Sequence, residues 1–207
     1  MADDKKLSRR ALLSFWRRPE KKASPPAPAP PPPVAASGAT WPVNRTPGPA
    51  LGRLLPLRPP GNMQEYILRE ACTRCNKCEE VCPADAIFML DESWGDAQGT
   101  PAINPRKSPC VVCEGYQCTQ VCPSGALQPV YNVAEIKMGT AAVETTRCVT
   151  YLGQPCDACV KVCPVPGALF PDPSGHPFVD DYKCIGCGLC VRACPTEPGS
   201  IAVVPRD

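Results

Sequence analysis

The pattern that most restricts this chain is a set of four cysteine runs, which together use all sixteen of its cysteines. The last run, Cys184, Cys187, Cys190 and Cys194, leaves two, two and then three residues between successive thiols, and Pro195 follows it. Cys72, Cys75, Cys78 and Cys82, followed by Pro83, repeat that spacing without change. Cys110, Cys113, Cys118 and Cys122 carry two extra residues between their second and third members, and Cys148, Cys156, Cys159 and Cys163 place seven between the first and second. Every run closes on Cys-Pro and then reaches an aliphatic residue, in the segments CPADAI, CPSGAL, CPVPGAL and CPTEPGSI. This is a fourfold internal repeat.

Thiolates two residues apart on a tight loop supply soft anionic ligands to three corners of a [4Fe–4S] cube, and in the bacterial two-cluster arrangement the fourth Cys of a run ligates the other cube. Zinc is the serious rival, but it favours two separated Cys-x-x-Cys pairs around one tetrahedron over three equally spaced thiols. A disulfide framework is set aside with it. The proline after each run fixes φ and ends the short helical turn expected to hold the fourth thiolate. Ile87, Leu127, Leu169 and Ile201 then open short strands, with further strands expected at Pro101–Asn104, Ala142–Thr146 and Phe178–Tyr182. Helical spacing over Met63–Glu70 delivers the chain to Cys72, and Asn132 caps a short bridging helix ahead of Lys137 and Met138. Gly186 and Gly188 let backbone N–H groups approach the cluster sulfurs. The fold class is α+β: tandem or nested ferredoxin-like repeats of the 2[4Fe–4S] type, with a small core.

Four runs of this kind form two pairs. Joining the two regular runs, first and last, nests the two irregular ones inside them; intervals of 27, 25 and 20 residues between runs leave sequential pairing open as well.

The 29 prolines and only 12 aromatic residues leave a good part of the chain outside any core. Three regions are expected: a basic tail over 1–22, a Pro-rich disordered linker over 23–56 containing SPPAPAPPPPV, and a four-cluster domain over 57–207. The first 22 residues hold eight Lys/Arg against three Asp/Glu, leaving 14 against 17 for the rest. With roughly −2 for each thiolate-bound cube, the body is acidic, which argues against nucleic acid as its partner. No stretch reaches the roughly 20 apolar residues of a membrane-spanning helix. Residues 7–18 place Ala11, Leu12, Phe15 and Trp16 on one arc of a helix, an arrangement suited to peripheral membrane contact. SRRALL at 8–13 approaches a twin-arginine export signature, yet its apolar run stops after ALLSFW. The expected location is therefore cytoplasmic, with membrane association, and periplasmic export by a degenerate signal is the alternative.

The stretches LRPPG, PCVVCEGYQCTQVCPSGAL, AEIKMG and CVTYLGQPCDACVKVCP resemble the NapF/NapG/MauM-type ferredoxins of periplasmic nitrate reductase and methylamine oxidation systems. The likeness runs from about Leu57 to Val204 and looks closest to the NapG/MauM branch, with a front end more like NapF. Those proteins are similar to the four-cluster subunits of molybdenum-enzyme and hydrogenase complexes, and this implies nested pairing. The implied ligand sets are Cys72, Cys75, Cys78 with Cys194; Cys110, Cys113, Cys118 with Cys163; Cys148, Cys156, Cys159 with Cys122; and Cys184, Cys187, Cys190 with Cys82. The implied partners are redox proteins, either a membrane quinol-oxidising subunit or a molybdenum-type reductase.

With every thiol assigned, no cysteine remains as a nucleophile, and no catalytic motif stands out. His176, the one histidine, reads as a loop residue, and Tyr116 and Tyr151 read as packing beside the inner cubes. The expected function is that of a non-enzymatic electron carrier with four [4Fe–4S] clusters. An accessory protein that assists maturation of a partner reductase is the alternative, and deletion of residues 1–50 separates the two.

Overall fold

The cysteine runs fold as loops that each end in about one turn of helix. In the computed structural model the described residues are 55–206. The expected basic tail, its helix over 7–18, and nearly all of the Pro-rich linker lie outside them. Helix α1 (Glu65–Ala71) leads into the first run, close to the expected span. Helices α2 (Lys77–Glu80), α3 (Gln117–Gln120), α4 (Ala158–Lys161) and α5 (Leu189–Ala193) then carry the third thiol of each run. To aim three thiols inward, the two regular loops pass through left-handed backbone on both sides of the second cysteine. Arg74 and Asn76 have φ of 56° and 63°, Gly186 and Gly188 have 77° and 85°. In the second run the β-branched Val112 is held at φ 53°, a conformation that costs an L-residue about 1–2 kcal/mol.

Six strands make three antiparallel pairs. β1 (Ile87–Met89) pairs with β2 (Pro101–Ile103) between the first and second runs, and β4 (Leu169–Pro171) pairs with β5 (Pro177–Val179) between the third and fourth. β3 (Gly139–Val143), just before the third run, pairs with β6 (Ile201–Pro205), just after the fourth, in the register Gly139 to Pro205 through Val143 to Ile201. Ile87, Leu169 and Ile201 open strands as expected, and β3 starts three residues earlier than its expected span. Leu127 forms only an isolated bridge with Asn62. Its partner segment contains Pro59 and Pro60, which have no N–H to extend a ladder. β5 stops at Val179 because Asp180 turns the chain, its carboxylate accepting from the Tyr182 N–H at 3.0 Å. Asn132 does cap a helical turn, a 3-10 turn over Val133–Glu135, by accepting from the Ala134 N–H.

Two tandem halves result, each built as flank, run, hairpin, run, flank. The flank before the third run meets the flank after the fourth, and the flank before the first meets the flank after the second. The strand ladder thus joins the last flank to the second half.

The halves share a core. One apolar cluster is confined to the second half around Val143, Leu169 and Ile201. Another gathers Leu57, Ile87 and Ile103 from the first half with Ile136, Met138 and Ile185. The Met138 N–H donates to the Ile185 carbonyl at 3.1 Å. Arg106, in the loop after β2, reaches across to donate to the Val191 and Thr196 carbonyls, both at 2.9 Å, and pairs with Glu197.

Gly186 and Gly188 have a further role at this junction. A Cβ on Gly186 would stand 2.4 Å from the Gly139 nitrogen, and one on Gly188 would stand 2.3 Å from the Pro105 Cβ. The fourth loop is thus pressed against β3 and against the first half. Gly186→Ala is expected to cost more than the roughly 1–2 kcal/mol of its left-handed φ alone, because the obstructing atoms are backbone. A drop in the unfolding midpoint well beyond that of Gly153→Ala, where a Cβ meets open space at a similar φ, checks it.

Candidate metal centres

All sixteen cysteines are free thiols. They surround four hollows of about 350, 400, 370 and 300 Å³, mouths included, taken in the order below. The first is lined by Cys72, Cys75, Cys78 and Cys122. Cys110, Cys113, Cys118 and Cys82 line the second. The third has Cys184, Cys187, Cys190 and Cys163, and the fourth has Cys148, Cys156, Cys159 and Cys194.

The three leading thiols of every run stay together, as the spacing requires, while the fourth crosses to the other run of its own half. This grouping differs from the nested sets. Cys194 stands with the Cys148 set and not with the Cys72 set, Cys82 with Cys110 and not with Cys184, Cys122 with Cys72 and not with Cys148, and Cys163 with Cys184 and not with Cys110. The reason lies in the strand pairing, which closes each half on itself before the chain moves to the next.

The hollows form a row. Burial pushes Cys118 up to about 12, and the thiols of Cys110, Cys113, Cys82 and, from the first hollow, Cys78 add to it. Burial likewise raises Cys110 to about 12, with Cys187 of the third hollow contributing. The Cys110 N–H donates to the Cys187 carbonyl at 3.1 Å, so the second and third hollows meet where the halves join. Cys190 is raised by burial, then by Cys187, Cys184 and, from the fourth hollow, Cys159. The inner hollows are therefore those of the Cys110 and Cys184 sets, and those of Cys72 and Cys148 are the ends. Tyr116 lines the second hollow, as expected of a packing residue. Tyr151 instead stacks on His176, ring centroids 4.0 Å apart, and the histidine lies in a turn where its N–H donates to Asp172. Neither lines a hollow.

The donor set fits a body larger than one ion. Among the described residues, no three His, Cys, Asp or Glu side chains are grouped to hold a single metal ion. Each hollow is faced by four sulfurs without a carboxylate, amid residues such as Ile87, Ile103, Leu169 and Val179. Burying four thiols side by side disfavours their anionic form, and a bound cationic cluster reverses that balance. Backbone N–H groups aim at several sulfurs: Ala86 at Cys82 (3.3 Å), Leu127 at Cys122 (3.4 Å) and Ala141 at Cys184 (3.4 Å). At Cys122 and Cys194 burial works to raise the thiol but is outweighed, by the Leu127 N–H and Ser124 at the first and by the Ser200 and Thr196 hydroxyls at the second, and both are lowered.

Two supporting groups escape sequence reasoning. Arg58, nearly fully buried, binds the Glu65 carboxylate through two nitrogens at 2.7 and 2.5 Å, and also donates to Thr100 and the Pro101 carbonyl. It ties α1 to β2 above the first run. Arg106 is the other. Both stand beside prolines, Arg58 amid apolar residues and Arg106 amid polar ones, with no further signal.

The profile of the 4Fe-4S dicluster domain matches residues 71–126, and that of a 4Fe-4S binding domain matches 175–196. The chain is 38% identical over 163 residues, 73% of its length and 69% of the relative's, to the methylamine utilization ferredoxin-type protein MauM of Methylobacillus flagellatus. It is 35% identical to MauM of Paracoccus denitrificans over 79% of its own length and 76% of the relative's. Against the ferredoxin-type protein NapG of Escherichia coli it is 34% identical, over 72% and 70%. No helix among the described residues is long and apolar enough to cross a membrane. Conserved over this length and carrying 4Fe-4S domains, the chain belongs to the MauM and NapG family of ferredoxin-type iron–sulfur proteins.

Proposed function

We propose that this chain holds four [4Fe–4S] clusters, one in each hollow, and passes single electrons along the row between a donor and an acceptor protein. When bound, each cluster supplies a one-electron couple. The observation that carries the reading is the contiguity of four four-thiol hollows, with the Cys78, Cys118, Cys110, Cys187, Cys190 and Cys159 thiols leading from one end to the other. The protein's own part is to hold each set of four thiols, to screen the inner hollows with Leu57, Ile103 and Ile185, and to direct N–H groups at the sulfurs. The ligand sets follow the hollows, with Cys122, Cys82, Cys163 and Cys194 as the crossing thiols. The partners are redox proteins that dock at the ends of the row.

Anaerobically purified protein is expected to contain about 16 iron and about 16 acid-labile sulfide per chain. Zinc in place of iron, with no sulfide, would refute the reading.

A further inference from the structure

The four sites differ in the hydrogen bonds their sulfurs receive. At the fourth, three side-chain hydroxyls converge: Thr150 lies 3.3 Å from Cys148 Sγ, and Thr196 and Ser200 lie 3.2 and 3.1 Å from Cys194 Sγ. Thr196 Oγ1 already accepts from the Ser200 N–H at 2.8 Å, which leaves its own hydrogen to point at the sulfur. Ser200 is only 2% exposed, so its hydroxyl has no recourse to solvent. The loop carrying them is fixed by Arg106 on the Thr196 carbonyl and by the Glu144 N–H on the Ser200 carbonyl, at 2.9 and 2.7 Å.

The neighbouring third site has no serine or threonine in its lining. Its sulfurs have backbone donors alone: the Ala141 N–H at Cys184, the backbone of Val165 and Leu169 toward Cys163, and that of Leu189 toward Cys187. The second site has the Ala86 N–H at Cys82 and the backbone of Val112 toward Cys110, and the first has the Leu127 N–H with one hydroxyl, Ser124, at 3.7 Å. Hydrogen bonds to cluster sulfurs stabilise the more negative, reduced state and raise the potential. Position adds to the contrast, since the third site lies between two others and the fourth has one neighbour.

We infer that Thr150, Thr196 and Ser200 make the site of Cys148, Cys156, Cys159 and Cys194 more easily reduced than the site of Cys184, Cys187, Cys190 and Cys163, so that an electron shared between them rests at the Cys148 end. This rests on the four-cluster reading. The step is a one-electron exchange: the third cluster is oxidised as the fourth is reduced, and no proton moves.

The test is an anaerobic reductive titration of the holoprotein followed by electron paramagnetic resonance. The fourth site's step is identified by its disappearance in Cys194→Ala, and the third's by its disappearance in Cys163→Ala. In the native protein the fourth step lies at the higher potential. In Thr150→Val/Ser200→Ala it falls by at least a tenfold change in equilibrium constant, about 59 mV for one electron, with iron and sulfide content unchanged. Thr150→Ser, which keeps the hydroxyl, leaves it within a few-fold of the native value. Full cluster content with the fourth step below the third, or with no fall in the double variant, overturns this inference alone. A native chain without clusters overturns the four-cluster reading and this inference with it.

Discussion

Cys194→Ala is expected to remove the cluster held with Cys148, Cys156 and Cys159, lowering iron from about 16 to about 12 per chain, and to leave the Cys72 site intact. Combining variants makes the assignment without spectral interpretation. Residues that act on one site are not additive, whereas residues on separate sites are. Cys148→Ala/Cys194→Ala should therefore keep about 12 iron, because both changes strike the same cluster, while Cys72→Ala/Cys194→Ala should keep about 8. The reverse pattern would restore the nested order. The expectation stands on the β3–β6 pairing, which brings Ile201, seven residues beyond Cys194, opposite Val143, five before Cys148. For Cys194 to reach the Cys72 site, that five-residue ladder would have to open.

The second large effect is expected at Arg58. Its guanidinium is 3% exposed and Glu65 8%, at 2.5 Å. Removing one partner of a buried ion pair leaves an uncompensated charge and typically costs about 3–5 kcal/mol. Arg58→Ala should show a loss of that size in denaturant unfolding of the holoprotein, and Arg58→Lys should recover only part of it, since an ammonium cannot make the two-pronged contact. Arg69 also approaches Glu65, at 3.2 Å, and softens the penalty. A loss below about 1 kcal/mol, the range of exposed pairs, would mean that the pair is not buried in solution. The consequence is local to the first run. Arg58 also holds the Pro101 carbonyl at the start of β2, so its loss should release iron from the Cys72 site before the others.

Much of this was legible in the residues. The four triplets, the strands opened by Ile87, Leu169 and Ile201, and the cap at Asn132 all follow from local rules of spacing and backbone geometry; the helical turn does too, but it carries the third thiol of each run where the fourth was expected. Leu127 shows the limit of such rules: it has the same context as the other three aliphatic residues, yet a strand needs a partner with N–H groups, and Pro59 and Pro60 offer none. Gly186 shows another. Its left-handed φ is a local matter, but its contact with Gly139, 47 residues away, is not. Arg58, Arg106 and the Thr196–Ser200 pair carry no local signature, because each matters through a carbonyl, carboxylate or sulfur brought near by packing.

By itself the sequence determined what the sites are made of: three thiols per loop, a fourth held back by three residues, and a proline to end the turn. Covalent spacing suffices for that, since the atoms concerned lie within one or two turns of chain. Which loop the fourth thiol would join was decided only by the tertiary structure. Intervals of 20 to 27 residues between runs permit either partner, because the entropy of loop closure rises so slowly with length. The choice fell to contacts far apart in the chain: the β3–β6 ladder, Gly186 against Gly139, and Arg106 across the junction. Those contacts fold each half on itself and set the four sites in a row.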